Sequence, residues 1–407
     1  MAPSTDSRDD CVSVYSCSSS HFDDADVDKV ATPFEEAINE DEFEDKLMAA
    51  MDSTFLKAAK SRVSALESIR AAFSSRYVAD FITERRCSIS EILERCIKKG
   101  KGEEQGSAAL LAALVCISLG PSEETDALFA DLESQMITVL MDKSVSTTVR
   151  SRFALALGLC SFIAGVEVEN VTHIMDCLHS LFSCSYHKGN GVPPNFGPEA
   201  TALHSAALQS WALLLTVQTS SRVVSLADKH LHNLIQLLDS NDVELRIAAG
   251  ETIAVMCEIC REFRQDLFED SLLFDKLRLL ATDSQKFRAK KDRRKQRSSF
   301  RDVLKYIEDE ETSSMSVRFG REKMFIDTWC RRVQYDAFCQ VLGSGMNLHL
   351  SQNFLLREIF DLGPPLPIDI PVQKVRKSER KMENTATSKA RARSRGKLRD
   401  KRADVLS

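Results

Sequence analysis

Four stretches of this chain are apolar nearly all the way round a helix, and they constrain the fold more than any other feature. Leu110, Leu111, Leu114, Val115 and Ile117 make one stretch, and Phe153, Leu155, Leu157, Leu159, Cys160 and Ile163 a second. Ala206, Ala207, Trp211, Leu214 and Leu215 make a third; Ile247, Ala248, Ala249, Ile253, Ala254 and Met256 make a fourth. A helix with no polar face has to be buried on two sides. Between these lie one-sided helices over Leu132 to Leu140, Val171 to Phe182 and Leu231 to Leu238. Buried and half-buried helices therefore alternate.

The alternation is a repeat. Leu140-Met141-Asp142, Val149-Arg150 and Ala154-Leu155-Ala156 parallel Leu237-Leu238-Asp239, Leu245-Arg246 and Ala248-Ala249-Gly250. Each time a helix ends at Asp, a polar turn follows, and an Ala-rich helix starts after Arg. Units of roughly 40–50 residues with small residues at the helix contacts have the period of armadillo/HEAT repeats, in which stacking supplies the core that no single unit has. Fifteen Gly and ten Pro in 407 residues are few, which disfavours a many-turned β fold. The expected class is all-α, an armadillo/HEAT-like helical repeat solenoid with a smaller helical C-terminal domain and a basic C-terminal tail.

The expected boundaries follow from composition and caps. Residues 1–31 are Ser- and Asp-rich and cannot bury enough surface to fold alone. Thr32-Pro33-Phe34-Glu35 reads as a capping box that opens a repeat domain over 32–282, and Ser88-Ile89-Ser90-Glu91 repeats the pattern. Tyr186 to Pro198, with three Gly and three Pro, reads as a loop. A C-terminal domain over 283–370 is expected to hold an amphipathic helix from Arg321 to Leu342, stopped by Gly343-Ser344-Gly345, with Trp329 in its core. Gly363-Pro364-Pro365 closes the folded part. Residues 371–407 are a basic tail, helical when bound.

The net charge of −6 conceals segregation. Residues 1–60 carry fifteen acidic and five basic groups, residues 286–305 ten basic and two acidic, and residues 374–407 thirteen basic and four acidic. Concentrated basic segments on a mildly acidic chain point to a polyanion met at particular places. The polar, acidic start has no signal-sequence pattern, so the cytosol or nucleus is the expected residence. No stretch is apolar for the length of a membrane span.

Catalysis finds little support. There is no P-loop, His-Glu-x-x-His or Gly-x-Ser-x-Gly. Cys257-Glu258-Ile259-Cys260 is a CxxC inside an apolar helical run with no second pair at zinc spacing, so both are expected as core thiols. Neither a cofactor nor a small-molecule substrate is expected.

Two basic segments remain. Lys286, Arg288, Lys290, Lys291, Arg293, Arg294, Lys295, Arg297 and Arg301 lead into Phe300, Val303, Leu304 and Ile307 at i, i+3, i+4, i+7. One helix with a basic first half and a docked second half would present cations to phosphates from an anchored element. The same run has the composition of a nuclear import signal. In the tail, Lys389, Arg391, Arg393, Arg395, Lys397, Arg399 and Lys401 occupy every second position, followed by Arg402. On a helix that period steps about 200°, so charge falls on all sides and no face can dock on the chain itself. Such a rod suits a phosphate-lined channel, read by shape and backbone.

These segments resemble the interferon-related developmental regulator family. The resemblance rests on Arg288-Ala289-Lys290, Arg294-Lys295-Gln296-Arg297-Ser298, Phe300-Arg301-Asp302-Val303-Leu304, Phe319-Gly320-Arg321-Glu322, Gly343-Ser344-Gly345-Met346, Leu362-Gly363-Pro364-Pro365 and Asp400-Lys401-Arg402-Ala403-Asp404-Val405. It implies an armadillo-like fold with a distinct C-terminal domain, and two roles. One is translational repression on inactive ribosomes, with a C-terminal helix in the mRNA path and rRNA and ribosomal proteins as partners. The other is transcriptional co-regulation in differentiating cells, through contacts of the helical repeats with nuclear co-repressor proteins. Ribosome binding without enzymatic activity is the leading expectation.

Overall fold

A computed structural model describes residues 40–164, 168–189, 191–282 and 289–366. The described residues lie in a unit that ends at Pro365, except Leu366, which opens a second unit running to Ser407. The capping box at Thr32 and the basic tail lie outside the described residues.

The chain runs α1 (Glu40–Ser53), α2 (Ala59–Ser75), α3 (Ala79–Glu84), α4 (Arg86–Lys99), α5 (Glu103–Leu119), α6 (Glu123–Met141), α7 (Thr147–Ile163), α8 (Val168–Phe182), α9 (Pro198–Leu215), α10 (Ser220–Leu237), α11 (Val243–Arg264), α12 (Ser271–Thr282) and α13 (Lys290–Asp309). A hairpin of β1 (Met315–Phe319) and β2 (Glu322–Ile326) follows, then α14 (Trp329–Leu342), α15 (Met346–Gln352) and α16 (Phe354–Ile359).

The expected alternation becomes two rows. Helices α2, α5, α7, α9, α11 and α13 stack successively on one another, while α4, α6, α8, α10 and α12 pack on that row from one side. This is the stacked helix-pair architecture of an armadillo-like solenoid, and helices predominate throughout the described residues. The inner row holds the apolar helices: Ala108 to Ile117 are all buried in α5, and so are Ala206 to Leu208 and Trp211 to Leu215 in α9. Close packing needs small residues there. A Cβ at Gly158 of α7 would lie 2.6 Å from the Ser210 Cβ of α9.

The arginines of the repeat have a structural task. Arg150 is buried and its Nε donates to the Leu140 carbonyl at 2.7 Å; Arg246, 1% exposed, donates to the Ser240 carbonyl and to Gln296. Arg246 thereby holds the turn that follows α10, and Arg150 satisfies a carbonyl left open in the last turn of α6. Gln105, donating to the Ile97 carbonyl at 2.9 Å, does the same one unit earlier. Ser146 and Asp242 cap α7 and α11 by accepting from the Val149 and Leu245 amides. The box expected at Ser88 is instead inside α4, which starts at Arg86 after a break at Arg85, with φ −111° and ψ 22°.

The C-terminal segment differs from expectation in two ways. Arg321 to Leu342 is not one helix. Its first part is β2, paired antiparallel with β1 in the register Phe319↔Glu322 across a two-residue turn. Val317, Phe319, Met324 and Ile326 are buried while Arg318, Lys323 and Phe325 face out, a period of two that excludes a helix. Gly320 has φ +54° and Arg321 has no positive φ, the pattern of a type II′ hairpin. The segment also packs back on the array: α14 contacts α2, α5, α7, α9 and α11. The Glu258 carboxylate of α11 accepts from the Trp329 and Cys330 amides at 2.6 and 3.1 Å, capping α14 from another helix. Phe338 meets Phe162 edge-on at 6.1 Å. The inner row is thus covered on one side by the outer helices and on another by α14. This explains the all-round apolar stretches of α5, α7, α9 and α11.

His349 of α15 is fully buried. Its Nε2 donates to the Phe73 carbonyl at 3.0 Å, and its Nδ1 accepts from the Asn353 amide, which also donates to the Ile117 carbonyl at 2.8 Å. This network requires neutral imidazole, and burial pushes its pKa down to about 4. The folded state then refuses a proton that the unfolded chain takes up at about 6.5, so the contribution is complete above 6.5 and is lost as pH falls towards 4. Urea unfolding should show the penalty of His349→Gln shrinking by about 3 kcal/mol between pH 7 and pH 4. A penalty constant with pH contradicts this.

Candidate nucleic-acid interface

Helix α13 carries the described part of the first basic segment. Phe300, Val303, Tyr306 and Ile307 are buried on one side. At about 100° per residue, Lys290, Arg294, Arg297, Arg301 and Lys305 fall within a narrow stripe on the opposite side, about 22 Å long. All are exposed except Arg297, which is half-buried.

The helix is held firmly. The Phe300 ring lies on Gly250 of α11, where an added Cβ would come within 2.7 Å of it. Gln296, buried, accepts from Arg246, and the Arg261 guanidinium donates to the Tyr306 carbonyl at 3.1 Å. Asp302 takes Arg332 of α14 at 3.3 Å.

The expected contact residues separate accordingly. Lys290, Arg294, Arg297 and Arg301 line the stripe, and Lys291 and Arg293 flank it. Among the described residues no carboxylate lies within ion-pairing distance of these six. Lys295 turns to the array and pairs with Glu244 at 2.6 Å, so it is removed from the interface. Lys286, Arg288 and Lys389 to Arg402 lie outside the described residues. Lys305 belongs to the stripe, though it pairs with Glu311 at 2.5 Å; the i, i+4 spacing from Arg301 carries that signal in the sequence.

The placement is electrostatically costly. Lys290, Lys291 and Arg293 occupy the first turn, where the helix dipole disfavours cations. Arg294 and Arg301 flank Arg297 at like-charge helical spacings, which also destabilise. Asp292 alone offsets them in that turn. A helix tolerates this arrangement at least cost when a polyanion lies along it.

The CxxC cysteines lie in the core. Cys257 and Cys260 are buried, and burial raises both thiols, Cys260 to about 11. They stay protonated and inert near neutrality. Among the described residues no group of three or more His, Cys, Asp or Glu side chains is placed to hold a metal ion, and no helix is long and apolar enough to cross a membrane. Trp329 is buried against Tyr306, as a core residue. Along the inner row the array is met by α14. Gln334 donates to Thr216 at 3.0 Å and Gln340 to Gln209 at 3.1 Å.

Known proteins match this chain along most of its length. The family described as Interferon-related developmental regulator (IFRD) matches residues 11–308, and the Interferon-related protein conserved region matches residues 353–403. Interferon-related developmental regulator 2 of Mus musculus is 43% identical over 377 residues, 91% of this chain and 86% of the mouse protein. Interferon-related developmental regulator 1 of Homo sapiens is 40% identical over 376 residues, 91% of this chain and 83% of the human one. Among solved structures, a designed armadillo repeat protein aligns with a TM-score of 0.41 at 17% identity, covering 63% of this chain and 99% of its own; the fold assignment rests on the helix rows themselves. The chain belongs to the interferon-related developmental regulator family.

Proposed function

We propose that this chain is a non-enzymatic ribosome-binding protein that inhibits translation. It occupies inactive ribosomes, lays the α13 stripe on rRNA and inserts the basic segment Lys389–Arg402 into the mRNA path. The observation that carries the reading is the stripe on a helix docked along its other side: among the described residues Lys290, Arg294, Arg297 and Arg301 have no carboxylate within ion-pairing distance. The period-two charge of the tail and the membership of the family support it. A docked helix loses little entropy in presenting its side chains, so each stripe cation counts as one phosphate contact.

The test compares Arg294→Gln, Arg297→Gln and Arg301→Gln, singly and together, with Lys295→Gln. Binding to purified idle ribosomes is followed against salt. Each stripe variant should lower the slope of log K on log[salt] by about 1, and the triple variant should weaken binding at least tenfold at physiological salt. Lys295→Gln should leave the slope unchanged, because that cation is already paired. Equal slopes for all variants contradict the reading.

A further inference from the structure

The outward face of the β-hairpin carries an aromatic ring among cations. Phe325 is 55% exposed on β2, with the Lys323 ammonium 4.3 Å from its ring centre. Arg318 sits directly opposite Lys323 in the register, and Arg321 extends from the turn. Like charges opposite one another destabilise a sheet pair. Among the described residues no carboxylate lies within ion-pairing distance of these three cations. The hairpin's other face is buried by Val317, Phe319, Met324 and Ile326, so the outer group is carried on a fixed platform.

A second observation concerns location. Arg357, 2% exposed, pairs with Glu322, the first residue of β2, at 2.7 Å, and donates to the carbonyls of Leu362, Gly363 and Pro364. One guanidinium therefore ties the turn end of the hairpin to the last residues of this unit and fixes the strand that carries Lys323 and Phe325.

The geometry points to the outer face of the hairpin as a binding site for single-stranded RNA, with Phe325 stacking on a base and Arg318, Arg321 and Lys323 holding the flanking phosphates. An exposed aromatic among unpaired cations on a rigid strand is the arrangement that sequence-tolerant single-strand binding uses. A duplex hides its base faces and leaves Phe325 without a partner. An acidic protein segment would satisfy the cations alone. This site does not depend on ribosome binding, and free RNA tests it separately.

The experiment uses the full chain and a fluorescently labelled oligouridylate of twelve nucleotides. Phe325→Ala should weaken binding about tenfold, and Phe325→Trp should restore it. The new indole should be quenched when RNA is added, since Trp211 and Trp329 are buried and stay silent. Arg318→Gln and Lys323→Gln should each lower the salt slope by about 0.7. Thermal unfolding should be no lower in Arg318→Gln and Lys323→Gln, which relieve the like-charge pair, and should show all four variants folded. Equal affinity of intact chain and Phe325→Ala overturns the proposal, as does equal competition by a duplex. Dependence on the cations without dependence on Phe325 overturns the base-stacking site and leaves phosphate contact alone.

Discussion

Gly345→Ala is expected to be among the most damaging single substitutions in the chain. Gly345 ends the turn Gly343–Gly345 between α14 and α15 and lies against the end of α2. A Cβ there would be 1.7 Å from the Ser74 carbonyl oxygen and 2.6 Å from its carbon. Both are backbone atoms, so no rotamer change relieves the overlap. Either α2 shifts or the turn lifts away. The second route also breaks the His349 bond to the neighbouring Phe73 carbonyl and the Asn353 bond to Ile117. Loss of a buried network together with overpacking places the expected cost at about 3–5 kcal/mol. Gly343→Ala is the contrast. Gly343 has φ +52° but no atom near its missing Cβ, so only backbone strain is added, about 1–3 kcal/mol. Urea unfolding of the two variants gives the ranking, and equal stability of Gly345→Ala and the intact chain contradicts the docking of the C-terminal segment.

Ending the chain after Asp369 should abolish inhibition of translation while leaving the fold intact. The cut retains Leu362, Gly363 and Pro364, whose carbonyls close around Arg357. It removes thirteen basic and four acidic groups. Under the proposed function those charges meet phosphates, and loss of even six contacts weakens binding by orders of magnitude at physiological salt. A cell-free translation assay should show inhibition by the full chain and almost none by the shortened one. Binding should persist weakly through α13. Undiminished inhibition by the shortened chain removes the tail from the mechanism.

The repeat was legible because it is written in spacing. Arg150 and Arg246 mark the start of each Ala-rich helix, and in the structure they hold the end of the preceding helix and the turn after it, through Leu140 and Ser240. The basic helix was legible from Phe300, Val303 and Ile307. The sequence did not separate Lys295 from its neighbours, because its partner Glu244 is 51 residues away and only packing brings them together. The hairpin was overlooked although Val317, Phe319, Met324 and Ile326 alternate around Gly320-Arg321. The apolar stripe of α14 beyond it was strong enough to extend the helix backwards in the reading. Which face of the array remains open was not legible at all. That depends on α14 lying across five helices, a contact between residues more than a hundred positions apart.

Under the proposed function this chain meets the phosphates of idle ribosomes through cations held on α13 and in the tail. Sucrose-gradient sedimentation of the full chain with purified vacant ribosomes, over a salt series, tests it directly. Co-migration at low salt is expected to fall steeply and linearly on a log–log plot, with a slope reduced by the tail cut and by the α13 variants together. Failure to co-migrate, or co-migration indifferent to salt, contradicts it.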